Sequence, residues 1–225
     1  MEENKLSSIF FVIGALFVTC LLLSNIIAGK IIIIWHWAVP AGIVIFPITY
    51  LFGDVLTEVY GFKKTRLVIW TGFAMNFFMV LVFWLVIVLR YPSFWKEQTS
   101  YKIVLGMTPR IVLASLIAYL FGEFINSTVL SVMKKGTKGR WLWTRTIGST
   151  IVGQGIDSLI FISIAFSFIF PWNIVFQMIL VQWILKTAYE IIATPATYAI
   201  VHFIKKKEGI DTFDYGVKYN PFGGK

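Results

Sequence analysis

The chain predicts an all-α membrane protein of six transmembrane helices, with a short external hairpin or re-entrant segment before the second, on three observations. Hydrophobic residues make up 58% of it, charged residues only 14%, and the mean hydropathy is +0.79. Apolar segments of about 20 residues recur, the length at which a helix crosses the hydrocarbon core with every backbone group bonded inside its own segment. Basic residues gather between alternate segments. Spans are expected over residues 8–28, 46–60, 67–89, 111–133, 146–170 and 174–204. Only short loops and a tail after Lys205 remain, so residues 1–225 read as a single transmembrane domain.

The first span is preceded by Glu2, Glu3 and only Lys5, and no small-residue cleavage pattern follows it, so it reads as a retained anchor. Lys63, Lys64 and Arg66 lie between spans two and three. Lys134, Lys135, Lys138, Arg140 and Arg145 lie between spans four and five, and Lys205, Lys206 and Lys207 follow span six. All three clusters fall on one side of a six-span chain. The positive-inside rule makes that side cytoplasmic, with both termini inside, in the cytoplasmic (inner) membrane. The loop 90–110 dissents, holding Arg90, Lys96, Lys102 and Arg110 against Glu97.

The net charge of +9 is therefore an inside bias and an attraction to anionic headgroups, not a footprint for nucleic acid. A single cysteine, Cys20, leaves no disulfide framework. His36 and His202 lie near opposite faces and cannot share a metal site, so no metal, no cofactor and no enzymatic activity are expected.

Between spans one and two, β-branched runs from Lys30 to Trp37 and from Ile43 to Pro47 flank Pro40 and Gly42, which predicts two short strands around a turn at those residues. Pro47 suits the first turn of a short second span carrying Tyr50, Asp54, Thr57 and Glu58. Short or interrupted membrane segments point to binding sites in transporters.

Asp157 sits near the middle of the run 147–170, which otherwise crosses without a formal charge. A lone acid there costs roughly 2.5–3.5 kcal/mol on insertion scales, so it faces a polar partner, a cavity or a substrate. Thr150, Gln154 and Asp157 form one stripe of span five, and Gln182, Lys186, Glu190 and Thr194 form one of span six. Glu123, Asn126 and Ser127 share a face of span four, and Asn76 lies one turn after Gly72 in span three. Lys186 and Glu190 are spaced for an intrahelical pair, which would leave Glu123 and Asp157 without a cation nearby in sequence. Three negatives against one positive favour a cationic ligand or a protonated carboxyl, and the paired amides suit a flat heterocycle with an amide-like edge. Ser149 and Gly153 permit close helix approach, and Pro195 is expected to kink span six.

The run Phe46-Pro-Ile-Thr-Tyr-Leu-Phe-Gly-Asp54-Val-Leu-Thr-Glu58-Val-Tyr-Gly61, the block Ser149-Thr-Ile-Val-Gly-Gln154-Gly-Ile-Asp157-Ser158, and Lys186 in the last span resemble the queuosine precursor transporters, earlier named for vitamin uptake. The resemblance covers essentially the whole chain. It implies an architecture like the substrate-binding subunits of energy-coupling-factor transporters, and a small-molecule deazapurine cargo: 7-cyano-7-deazaguanine, 7-aminomethyl-7-deazaguanine or queuine. It places Asp54, Glu58, Gln154, Asp157 and Lys186 at or near the site, to which the stripes add Asn76, Glu123, Asn126 and Glu190. Glu123 or Asp157 is expected on the N1/N2 edge of the base, an amide or lysine on O6, and Glu190 on an aminomethyl cation. The alternative is the substrate-binding subunit of an ATP-driven vitamin importer, against which span one counts, with Ala15 and Thr19 in place of paired alanines. Oligomeric state stays open, a homodimer included.

Overall fold

The computed structural model describes residues 7–106, 109–217 and 219–220, in which the chain is almost entirely helical. Helix α1 (Ser8–Ile27) leads to a hairpin of β1 (Ile31–Ile34) and β2 (Trp37–Pro40), then a short 3-10 turn and α2 (Phe46–Tyr60). Then come α3 (Phe62–Val88), α4 (Gln98–Leu105), α5 (Pro109–Gly136), α6 (Leu142–Phe166) and α7 (Trp172–Glu208). Five of these, α1, α3, α5, α6 and α7, are long and apolar enough to cross a membrane, which makes the chain a multi-pass membrane protein.

Helix α2, counted as a sixth span from sequence, has only 15 residues, and nearly all of them are buried because α1, α3, α5 and α7 surround it. A 15-residue helix rises about 22 Å, short of the roughly 30 Å hydrocarbon core. Gly61, at φ +83, reverses the chain directly into α3, a conformation that a side chain would strain.

The hairpin exists, but its turn is not at Pro40 and Gly42. Ile31 pairs with Pro40 and Ile34 with Trp37, so the chain turns at Trp35 and His36, and Ile43–Pro47 is not a strand. Trp35 adopts φ 57, a conformation favoured by glycine and uncommon for a bulky residue, so residue type gave no signal for a turn there.

The loop 90–110 contains α4, which the sequence reading took for plain loop. Its dissenting Arg110 is consumed locally: Nε donates to the Ile164 carbonyl and Nη2 to that of Ser167, each at 2.5 Å, which caps the C-terminus of α6. The basic clusters that set the expected orientation all lie at the opposite end, with both described termini. There Ser7 meets Tyr60, and the Arg66 guanidinium donates to the Asn220 carbonyl at 2.8 Å.

Helices α5 and α6 pack most intimately, through glycine. A Cβ on Gly153 would stand 2.7 Å from the Asn126 Cβ and 3.0 Å from the Gly122 carbonyl, so the small-residue spacing read from the sequence is used for close approach. Gly153→Ala is expected to cost about 1–3 kcal/mol by overpacking, read as a lower melting temperature in detergent. An unchanged melting temperature would show that the two helices part without penalty.

Candidate functional site

Four helices bring polar groups to the centre of the bundle. Asp54 on α2, Glu123 and Asn126 on α5, Gln154 on α6 and Glu190 on α7 are each at most 1% exposed. Asn126 donates from Nδ2 to Asp54 Oδ1 at 2.8 Å. Beyond that bond the cluster is short of partners. Asp54 Oδ2, the Asn126 carbonyl oxygen, Glu190 Oε1 and both side-chain atoms of Gln154 make no hydrogen bond. Glu123 has the Ser127 hydroxyl near it, but neither of its oxygens has a bond of good geometry. The Tyr50 hydroxyl is likewise unpartnered and sits in the field of Asp157, Glu123 and Asp54. Buried polar atoms are normally satisfied, so this concentration marks the candidate site.

Gly53 and Gly122 make the space. A Cβ on Gly53 would fall 2.3 Å from Glu123 Oε1, and one on Gly122 would fall 2.6 Å from the Tyr50 hydroxyl and 2.8 Å from the Asp157 Cβ. Glycine lets α2 and α5 approach until their acids face one core.

Lys186 does not pair along its own helix with Glu190. Its Nζ crosses to α6 and donates to Asp157 Oδ2 at 2.5 Å, lying 4.1 Å from the centre of the Phe46 ring. The spacing of four offered Glu190 as a partner, and only helix packing brought Asp157 into reach. The pair forms part of the wall of a cavity of about 30 Å³ beneath the hairpin, with Ser24, Asn25, Gly42, Phe46 and Gln182. Asn76 joins indirectly. The Asn25 amide donates to Asn76 Oδ1 at 2.5 Å, and Ser115 bonds Asn25, which ties α1, α3 and α5 together at the cavity rim. Sequence reasoning missed Asn25, Ser115 and Phe46, since single polar or aromatic residues in apolar runs carry no stripe.

Glu58, expected in the site, belongs to a different cluster at the basic end. Arg145 grips it with Nε at 2.7 Å and Nη2 at 2.8 Å, and Lys205 reaches it at 2.6 Å. Lys134 lies 3.5 Å from its carboxylate and donates to its backbone carbonyl at 2.5 Å. The tail after α7 closes over this network. Asp211 receives Lys134 at 2.6 Å and Lys205 at 2.9 Å, the Thr212 amide donates to the Val59 carbonyl, and Asp214 accepts from the Phe62 amide at 2.9 Å and from Ser131. Burial pushes the Asp211 carboxyl up, yet hydrogen bonds from Lys134 and Lys205 hold it below its ordinary range. These basic residues were read only as topology signals, because nothing in a loop charge shows that it will fold back onto a buried acid.

The bundle is thus closed at its basic end by an ion network and tail, while the hairpin end holds a small polar cavity walled by the Lys186–Asp157 pair. Residues 40–200 match the family described as “Putative vitamin uptake transporter”. The chain is also similar to a protein of Bacillus subtilis (strain 168) named “Probable queuosine precursor transporter”, 28% identical over 186 residues, 82% of this chain and 81% of that protein. No solved structure matches it. A match over the stretch that holds α2, the central acids and the Lys186–Asp157 pair decides the identity: the chain belongs to the vitamin uptake transporter family, and it is a transporter.

Proposed function

We propose that this protein imports a 7-deazaguanine precursor of queuosine across the cytoplasmic membrane, with the basic end and both termini in the cytoplasm. The observation that carries the reading is the partnerless pair of opposite hydrogen-bonding character at the bundle centre, the Glu123 carboxylate and the Gln154 amide. The guanine edge offers N1–H and an amine as donors beside a carbonyl acceptor. A carboxylate accepts both donors while an amide donates to the oxygen. Asp157, the other acid expected there, is engaged by Lys186, which leaves Glu123 as the acceptor. Tyr50 and Phe46 supply aromatic surface beside it.

The open volume of about 30 Å³ is below the several hundred typical of a site for a heterocycle, so the base enters by displacing the hairpin or the α7 side chains around Lys186. The name of the Bacillus subtilis relative supports the cargo class, and the positive-inside distribution supports a cytoplasmic basic end.

Thermal stabilisation of the purified protein in detergent tests the reading, with queuine, the aminomethyl and cyano deazaguanines, guanine, biotin and riboflavin as probes. Selective ligands raise the melting temperature by linkage, growing as their concentration exceeds the dissociation constant. A shift confined to the deazaguanines is expected. A shift with biotin or riboflavin alone, or none, would defeat the assignment.

A further inference from the structure

Counting buried charge sets the central acids apart. Among the described residues the buried cations are Lys134, Arg145 and Lys186, against the buried acids Asp54, Glu58, Glu123, Asp157, Asp214 and Glu190. Lys186 is taken by Asp157, and Arg145 and Lys134 by Glu58. Asp214 lies at the basic end under hydroxyl and amide donors. That leaves Asp54, Glu123 and Glu190 in the core with no cation. Glu123 is accounted for by the ligand edge, and two acids remain.

Those two belong together. Helix α7, which carries Glu190, packs directly against α2, which carries Asp54, and each carboxyl keeps a buried oxygen without a partner. Every element packed against Asp54 withholds a counter-charge. On α5 lie Glu123 and the Asn126 amide, which bonds Asp54; on α7 lie Glu190 and Lys186, the latter already paired with Asp157; and on α2 itself lies Glu58, which is already saturated. Helix α1 has no charged residue, and α3 has none after Arg66. The Asn126 carbonyl oxygen, Asp54 Oδ2 and Glu190 Oε1 are all buried acceptors without a donor. Two neighbouring carboxylates in a medium of low dielectric do not both stay ionised. What they lack is a hydrogen. A multidentate metal ion would need several oxygens converging on one point, and among the described residues no three His, Cys, Asp or Glu side chains gather in that way.

We propose that Asp54 and Glu190 form a proton-binding site that couples substrate import to the proton gradient, one proton moving inward with each substrate. One of the two carboxyls carries the proton and donates to a neighbouring acceptor. Its release at the basic end restores the repulsion between them and favours return of the bundle to its outward-open form. This rests on the transport reading above.

The test is flux in proteoliposomes that hold a lumenal pH dye, with 7-cyano-7-deazaguanine as the probe because it carries no charge of its own. With the outside acidic, the expected result is lumenal acidification on substrate addition and accumulation of up to about tenfold per pH unit, the limit for one proton per neutral substrate. Asp54→Asn and Glu190→Gln are each expected to abolish accumulation above the outside concentration. Entry that stops at equal concentrations whatever the pH gradient, or accumulation that follows a sodium gradient at equal pH, would overturn the proposal. Should no deazaguanine bind or move, the transport reading fails instead. The proton site is then judged by infrared spectroscopy of the protein in lipid at neutral pH. A protonated-carboxyl C=O band that disappears in Asp54→Asn or Glu190→Gln supports it, and absence of that band from the unmodified protein refutes it.

Discussion

Replacing Glu58 with glutamine is expected to destabilise the protein by about 3–5 kcal/mol, the usual cost of removing one partner from a buried ion cluster. Glu58 is fully buried, and it is the acid on which Arg145, Lys134 and Lys205 converge. Glutamine keeps the shape but not the charge. Arg145, 1% exposed, and Lys134, 2% exposed, would then sit in the core with only carbonyl oxygens and the half-exposed Asp211 to face. Desolvation that the carboxylate had offset becomes a net penalty. Thermal unfolding in detergent should show a fall of roughly 6–20 °C for a chain of this size. Limited proteolysis should cut the tail beyond Glu208 faster, since the tail is pinned through Asp211 and Thr212 to the same cations. A melting temperature within a degree or two of the parent would mean that the network contributes no net stability.

Glu123→Gln should do the reverse. Glu123 has no cation and no well-formed hydrogen bond, so the amide gives up no ion pair and should hold or raise the melting temperature. Deazaguanine affinity should collapse. The substitution places an amide N–H₂ where an acceptor must face N1–H or the exocyclic amine. It loses at least one charge-assisted bond worth about 1.5–3 kcal/mol and leaves a donor facing a donor. A loss of about 2–4 kcal/mol corresponds to roughly 30- to 1,000-fold weaker binding, measurable by titration calorimetry. Tight binding by Glu123→Gln would remove it from the base edge. The opposite stability responses of Glu58 and Glu123 separate an acid that holds the fold from one that the fold tolerates for its ligand.

Much of the candidate cluster was legible in advance through the cost of burying charge. Glu123, Asp157, Lys186 and Glu190 stood out because ionisable residues inside apolar runs are expensive, and the structure buries all four. Stripe periodicity placed Gln154 with Asp157 and Asn126 with Glu123, since side chains three or four apart share a helix face. Partner choice was not legible. Lys186 could reach Glu190 along its own helix or Asp157 across to α6, and local spacing favours the first while packing delivers the second. Glu58 shows the same limit. Its motif position groups it with Asp54, one turn away, yet that turn carries it from the central cluster to the basic end, where Arg145 and the tail enclose it.

By itself the sequence determined the membrane class, the long helices, the end at which basic residues gather and which costly groups lie inside apolar runs. All of these follow from transfer free energies summed along local segments. Only the tertiary structure decided which acid meets which cation, and that α2 is a short helix enclosed by four others. It likewise put the hairpin turn at Trp35 and His36 and folded the tail back over Glu58. Those outcomes depend on distances between residues far apart in the chain. Such distances are set by close approach at Gly53, Gly122 and Gly153, which local pattern cannot encode.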